Sequence, residues 1–196
     1  MGIIITKFGI NLGIRECFST FAIENNDVNM IHRIVQKNPY LCSMTDKALY
    51  PQLLEQLKAL IEGESNRVAV LSNAAALLHD VMDYFWVGFY LVDGDELILG
   101  PFQGPIACFH IKRGRGVCGT AWDQARTLVV PDVEAFPGHI ACSSLSRSEI
   151  VVPVYDASHS AIVGVLDIDS KELAAFDETD KRCLEQIVEV ISRAVF

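Results

Sequence analysis

At 196 residues, 51% of them hydrophobic and 21% charged, the chain has room for one domain with a substantial core and not comfortably for two. Disorder is excluded by the same balance. The 25 acidic and 16 basic residues give a net charge of −9, and no Lys/Arg cluster offsets it, which argues against a nucleic-acid partner. Asp80, Asp83, Asp93 and Asp95 break up the most apolar region, so no transmembrane helix is expected. The six cysteines are irregularly spaced and contain no CxxC; they read as functional thiols in a reducing, cytoplasmic setting rather than as a disulfide scaffold.

Residues 1–43 differ from the rest. Lys7 and Arg15 stand in an acid-free, apolar, glycine-containing start, and three readings stay open. One is an organelle transit peptide, which the scarcity of serine and arginine fits only in part. A second is N-myristoylation at Gly2, from the pattern Met1, Gly2 and Thr6. The third is a non-catalytic extension, with Met44 as an alternative start. From Thr45, a possible N-cap, Leu49, Leu53, Leu57, Leu60 and Ile61 recur at helical spacing until Gly63. A second helix is predicted over 65–84, with Val68, Val70, Leu71, Ala74, Ala75, Leu78 and Val81 as its apolar side.

Phe85 to Val92 is an aromatic, β-branched strand, and the turn Asp93, Gly94, Asp95 leads into Glu96–Leu99 as a hairpin. Further strands are predicted at 107–111, 127–130, 149–154 and 161–167. A closing helix starts near Asp177, with Asp180 three residues on, and shows Leu184, Ile187, Val188, Ile191 and Val195 on one face. Helices at both ends of a strand-rich middle predict an α+β domain with a mostly antiparallel sheet flanked by helices.

Chemistry concentrates in two stretches. GPFQGPIACFHIKRGRGVCGTAW carries Cys108 and Cys118, and FPGHIACSSLSRSEIVVPV carries Cys142. Gly114 to Gly119 spells GxGxxG, yet only a short helix (120–125) fits before the next strand, so a dinucleotide crossover is disfavoured. Cys108 and His110 would share one strand face, and His139 lies near Cys142; a zinc site is the alternative, although C-x-H then H-x-x-C is unusual spacing. Asp167 and Asp169 point to the same side of a strand. Side by side they repel, so one acquires a raised pKa or both hold a cation; the plainer reading is a solvated loop edge. Glu149 stands beside a neighbouring strand. Together these residues suggest a thiol-based redox or nucleophilic site.

In order and spacing, WVGFYL, LGPFQGPIAC, GRGVCGTAW, FPGHIAC, SEIVVPV and GVLDIDS resemble the free methionine-(R)-sulfoxide reductases, enzymes built on a GAF domain. The resemblance covers residues 44–196. It implies a six-stranded GAF sheet, usually in a homodimer, with Cys142 as nucleophile, Cys108 as resolving thiol and Cys118 as a third redox cysteine. Trp86, Glu149, Asp167 and Asp169 would bind free methionine sulfoxide, no metal or cofactor would be needed, and thioredoxin would restore the thiols. Ser143 departs from the family, which usually carries an acid there. The competing reading is a GAF module that senses a small molecule without turning it over. Cys17, Cys42 and Cys183 have no place in the redox scheme, and Cys183 reads as core.

Overall fold

Period-two alternation in the strands divides the residues between two cores, and this division places the site. The computed structural model describes residues 46–140 and 143–196; residues 1–45, including the expected cap at Thr45, lie outside the described residues. A 3-10 turn over Asp46–Leu49 leads into helix α1, Tyr50–Ile61, with Pro51 in its first turn. Its buried stripe is Tyr50, Leu53, Leu57 and Ile61, whereas Leu49 and Leu60 are exposed. Placing Tyr50 inward turns the stripe away from both leucines.

Helix α2, Arg67–Met82, begins two residues later than the spacing predicts because Asn66 caps it, its side chain accepting a bond of 3.1 Å from the Ala69 N–H. The helix stops at Asp83, which adopts a left-handed conformation with φ 53°. Val68 is exposed, and the stripe is carried by Val70, Leu71, Ala74, Ala75, Leu78 and Met82.

Six strands follow: β1 Trp86–Asp93, β2 Glu96–Gln103, β3 His110–Lys112, β4 Leu128–Val130, β5 Ser148–Tyr155 and β6 Ile162–Ser170. They form one sheet in the order β3-β2-β1-β6-β5-β4, and every neighbouring pair is antiparallel. The β1–β2 hairpin turns where predicted, with Asp93 opposite Glu96. Strand β2 runs on past Leu99, and β3 is shorter than expected because Cys108 and Phe109 precede it. Helix α4, Glu178–Val195, opens with the predicted capping box of Asp177 and Asp180.

One face of the sheet presents Val87, Phe89, Ile150, Val152, Leu166 and Ile168 to α1, α2 and α4 in the larger core, and Cys183 packs at its border. The opposite face presents Trp86, Tyr90, Val151 and Val165, covered by a short helix α3, Gly116–Gln124. Since β3 and β4 are the two edge strands, α3 lies on the path that carries the chain from one edge to the other across this second face. The GxGxxG stretch therefore feeds an antiparallel crossover, and a parallel βαβ unit is absent. A Cβ on Gly119 would strike the Lys112 carbonyl, so the glycine allows α3 to pack directly on the β3 turn. No described helix is long and apolar enough to cross a membrane.

Candidate active site

Strand register assembles the acidic group. Trp86 on β1 lies opposite Asp169 on β6, and Asp169 lies opposite Glu149 on β5, giving one row across three strands. Asp167 is two residues along β6 on the same face, opposite Gly88 and Val151. A Cβ at Gly88 would collide with Phe102 and the Trp86 ring, so this glycine lets the indole lie flat against the sheet. The indole N–H donates to the Pro105 carbonyl at 3.0 Å, and the ring stacks with Phe102 at 5.5 Å between centroids.

Trp86 and the three acids line a small cavity of about 40 Å³. Trp86, Tyr90, Ile106, Ile140 and Val117 form its apolar walls, and Cys118, Glu149, Asp167 and Asp169 its polar floor. Among the described residues, neither lysine nor arginine lines it. Asp167 and Asp169 therefore do not form a solvated loop edge; β6 continues to Ser170 and carries both inward.

Removal from water governs the electrostatics. Burial pushes the Glu149 carboxyl well above the usual carboxylate range, and the charges of Asp167 and Asp169 push it further. Asp167 is likewise raised, by burial first and then by Asp169, against hydrogen bonds with Cys118 and Glu149. Asp169 is raised to about 6 by burial, with a hydrogen bond to Ser146 opposing. Asp167 Oδ1 is buried with no hydrogen-bond partner among the described residues, a costly arrangement that asks for a donor or a cation.

Cys118 sits in the first turn of α3, and its thiol donates to Glu149 Oε1 at 3.7 Å. Burial and the neighbouring acids raise its pKa well above normal, so it is held as a thiol. Cys108 is in a disulfide, while Cys118 and Cys183 are free. Cys142 lies outside the described residues. Ser143, the departure noted above, lines the cavity, and its Oγ accepts from the Leu145 N–H at 3.2 Å.

Two members of the alternative zinc grouping are engaged elsewhere: Cys108 is in a disulfide, and His110 Nδ1 pairs with Glu96 Oε2 at 3.2 Å. His139 does reach the cavity wall. Sequence reasoning missed Tyr90 and Ser146. Tyr90 donates to the Cys108 carbonyl at 3.1 Å and so braces the loop that carries Cys108 from the sheet; its place four residues after Trp86, on the same strand face, was the available signal. Ser146 lies in a loop, where no periodicity points to it.

The GAF domain family model matches residues 66–195. "GAF domain-containing protein A" of Dictyostelium discoideum is 58% identical, the match covering 72% of this chain and 89% of that protein. The "Free methionine-R-sulfoxide reductase" of Escherichia coli is 43% identical over 78% of this chain and 92% of its own length. Among solved structures, free methionine-R-sulfoxide reductase from Neisseria meningitidis, in complex with its substrate, superposes with a TM-score of 0.73 at 52% identity, covering 76% of this chain and 89% of that one. The chain belongs to the GAF-domain family, in the group that contains the free methionine-R-sulfoxide reductases.

Proposed function

We propose that this protein reduces free methionine-(R)-sulfoxide to methionine. The observation that carries the reading is a cavity lined by three carboxyl groups, one with an orphaned oxygen, with no lysine or arginine among its described lining residues to neutralise them. Such a lining suits a ligand that brings its own cation, as the ammonium of a free amino acid does. A peptide-bound or N-acetylated methionine has a neutral amide at that place and leaves the buried charges unpaired, which is a strong basis for rejection. The stacked Trp86 is suited to the apolar part of the ligand.

In this scheme the Cys142 thiolate attacks the sulfoxide sulfur while a cavity carboxylic acid, with Glu149 or Asp167 held protonated by burial, protonates the departing oxygen. The oxygen passes to sulfur, giving methionine and a Cys142 sulfenic acid. The Cys108 thiol condenses with that acid, a disulfide forms and water leaves. A dithiol protein, thioredoxin, then reduces the disulfide and is itself oxidised. The disulfide on Cys108 and the free thiol of Cys118 favour Cys108 as the resolving partner, with Cys118 as a reserve. A sensing module has no need of a disulfide on Cys108. Residues 44–196 carry the activity, and the protein works in a reducing compartment as a homodimer.

The test is NADPH consumption with thioredoxin, thioredoxin reductase and free methionine-(R)-sulfoxide. Wild type should turn over the R epimer and ignore N-acetyl-methionine sulfoxide. Cys142→Ser should release no methionine even in a single turnover without reductant, because a serine hydroxyl is too weak a nucleophile at neutral pH. Single-turnover release at wild-type yield from that variant would falsify the assignment.

A further inference from the structure

Cys118 is the cavity thiol that the proposed reaction does not require. Its Sγ and carboxylate oxygens of Glu149 and Asp167 all lie within 4.8 Å of one another, and all three residues are buried. Among the described residues this is the grouping of histidine, cysteine and acid side chains close enough to share an ion. A second observation points the same way: Asp167 is 7% exposed, and its Oδ1, on the cavity floor, has no hydrogen-bond partner among the described residues. We propose that the cavity is a binding site for a thiophilic divalent cation such as zinc, held by Cys118, Glu149 and Asp167, and that this ion closes the pocket to substrate.

Donor type and spacing select the ion. Zinc bonds of roughly 2.3 Å to sulfur and 2.0–2.2 Å to carboxylate oxygen hold the donors of a tetrahedral site about 3.3–3.6 Å apart. The Cys118 Sγ to Glu149 Oε1 separation of 3.7 Å needs little adjustment to meet this. Magnesium and calcium prefer all-oxygen shells of six or more donors, so a set containing sulfur discriminates against them. Three protein donors leave a fourth position open toward the cavity, where Asp169, His139 and Tyr90 also face. On binding, Cys118 and any carboxyl of Glu149 or Asp167 that is protonated release their protons to solvent, and one sulfur–metal and two oxygen–metal bonds form with no change of oxidation state. The ion and the substrate ammonium would satisfy the same carboxyl groups, so each should exclude the other. This site differs in residues and place from a zinc set built on Cys108 and His110.

The test uses the full chain, stripped with a chelator, and reads binding without turnover, so it stands apart from the sulfoxide reaction. Calorimetric titration with zinc should show one ion per chain, removed again by chelator. Cys118→Ser and Asp167→Asn should each weaken binding by more than the roughly 10–100-fold that loss of an outer-shell partner costs. Cobalt should give a thiolate-to-cobalt charge-transfer band in wild type and in a variant carrying Cys17→Ser, Cys42→Ser and Cys183→Ser together, and no such band in Cys118→Ser. The proposal is overturned by the absence of stoichiometric uptake, by a wild-type cobalt complex without the thiolate band, by loss of the band in the triple variant, or by unchanged affinity in Cys118→Ser.

Discussion

Glu149, Asp167 and Asp169 are more acidic company than a protein interior ordinarily tolerates, and the cost should be measurable in two ways. If the ionised acids hold the substrate ammonium, kcat/KM should rise with pH through an acid limb near the Asp169 value of about 6. Asp169→Asn should shift or flatten the limb in a pH–rate profile, and an unchanged limb would remove Asp169 from substrate binding. The second effect is on stability. Glu149 has a higher pKa folded than unfolded, so as pH rises above the ordinary carboxylate range the unfolded chain releases a proton that the folded chain keeps. Stability contributed by the protonated form is therefore lost with rising pH, up to the raised folded pKa. Glu149→Gln keeps shape and hydrogen-bonding capacity without the charge. It should hold or raise the Tm at pH 7–8 while lowering kcat/KM by about 10²–10⁴-fold, the usual contribution of a positioned proton donor. Melting curves at pH 5 and 8 check the sign.

Helix α3 shows how an element of nine residues is positioned by contact rather than by propensity. Its backbone is locked to the preceding turn by Gly114 N–H to Gly119 carbonyl at 2.9 Å and Arg115 N–H to Lys112 carbonyl at 3.0 Å. Gly119→Ala would place a methyl group against the Lys112 carbonyl, and since that oxygen belongs to backbone it has little freedom to give way. Overpacking of this kind costs about 1–3 kcal/mol, read as a lower urea midpoint at constant slope. Because α3 also supplies Gly116 and Val117 to the cavity lining, its displacement should lower kcat/KM beyond the change in folded fraction. A variant with unchanged midpoint and activity would show that α3 is not held in this way.

At the scale of the whole molecule the sheet separates stability from chemistry. Three helices on one face seal a largely apolar core, and the other face, under one short helix and loops, holds acids and a thiol around a cavity. Every described residue lining the cavity falls between Trp86 and Asp169. A chain starting at Met44 should therefore keep kcat/KM within about twofold of the full chain, an effect no larger than about 0.5 kcal/mol; a larger loss would give residues 1–43 a part in catalysis. Local patterns sufficed for much of this. Alternation in WVGFYL and GVLDIDS and the Asp177 cap foretold the strands, the closing helix and the shared face of Asp167 and Asp169, since period and capping are properties of neighbouring residues. Helix ends were less legible, because Asn66 and Asp83 act through side-chain and backbone geometry that spacing does not reveal. What only the tertiary structure decided was the register that sets Trp86, Asp169 and Glu149 in one row, the arrival of Cys118 beside Glu149, and the presence of Tyr90 and Ser146. Those juxtapositions depend on which strands pair and where the crossover lies, and these follow from how the whole chain buries its apolar faces.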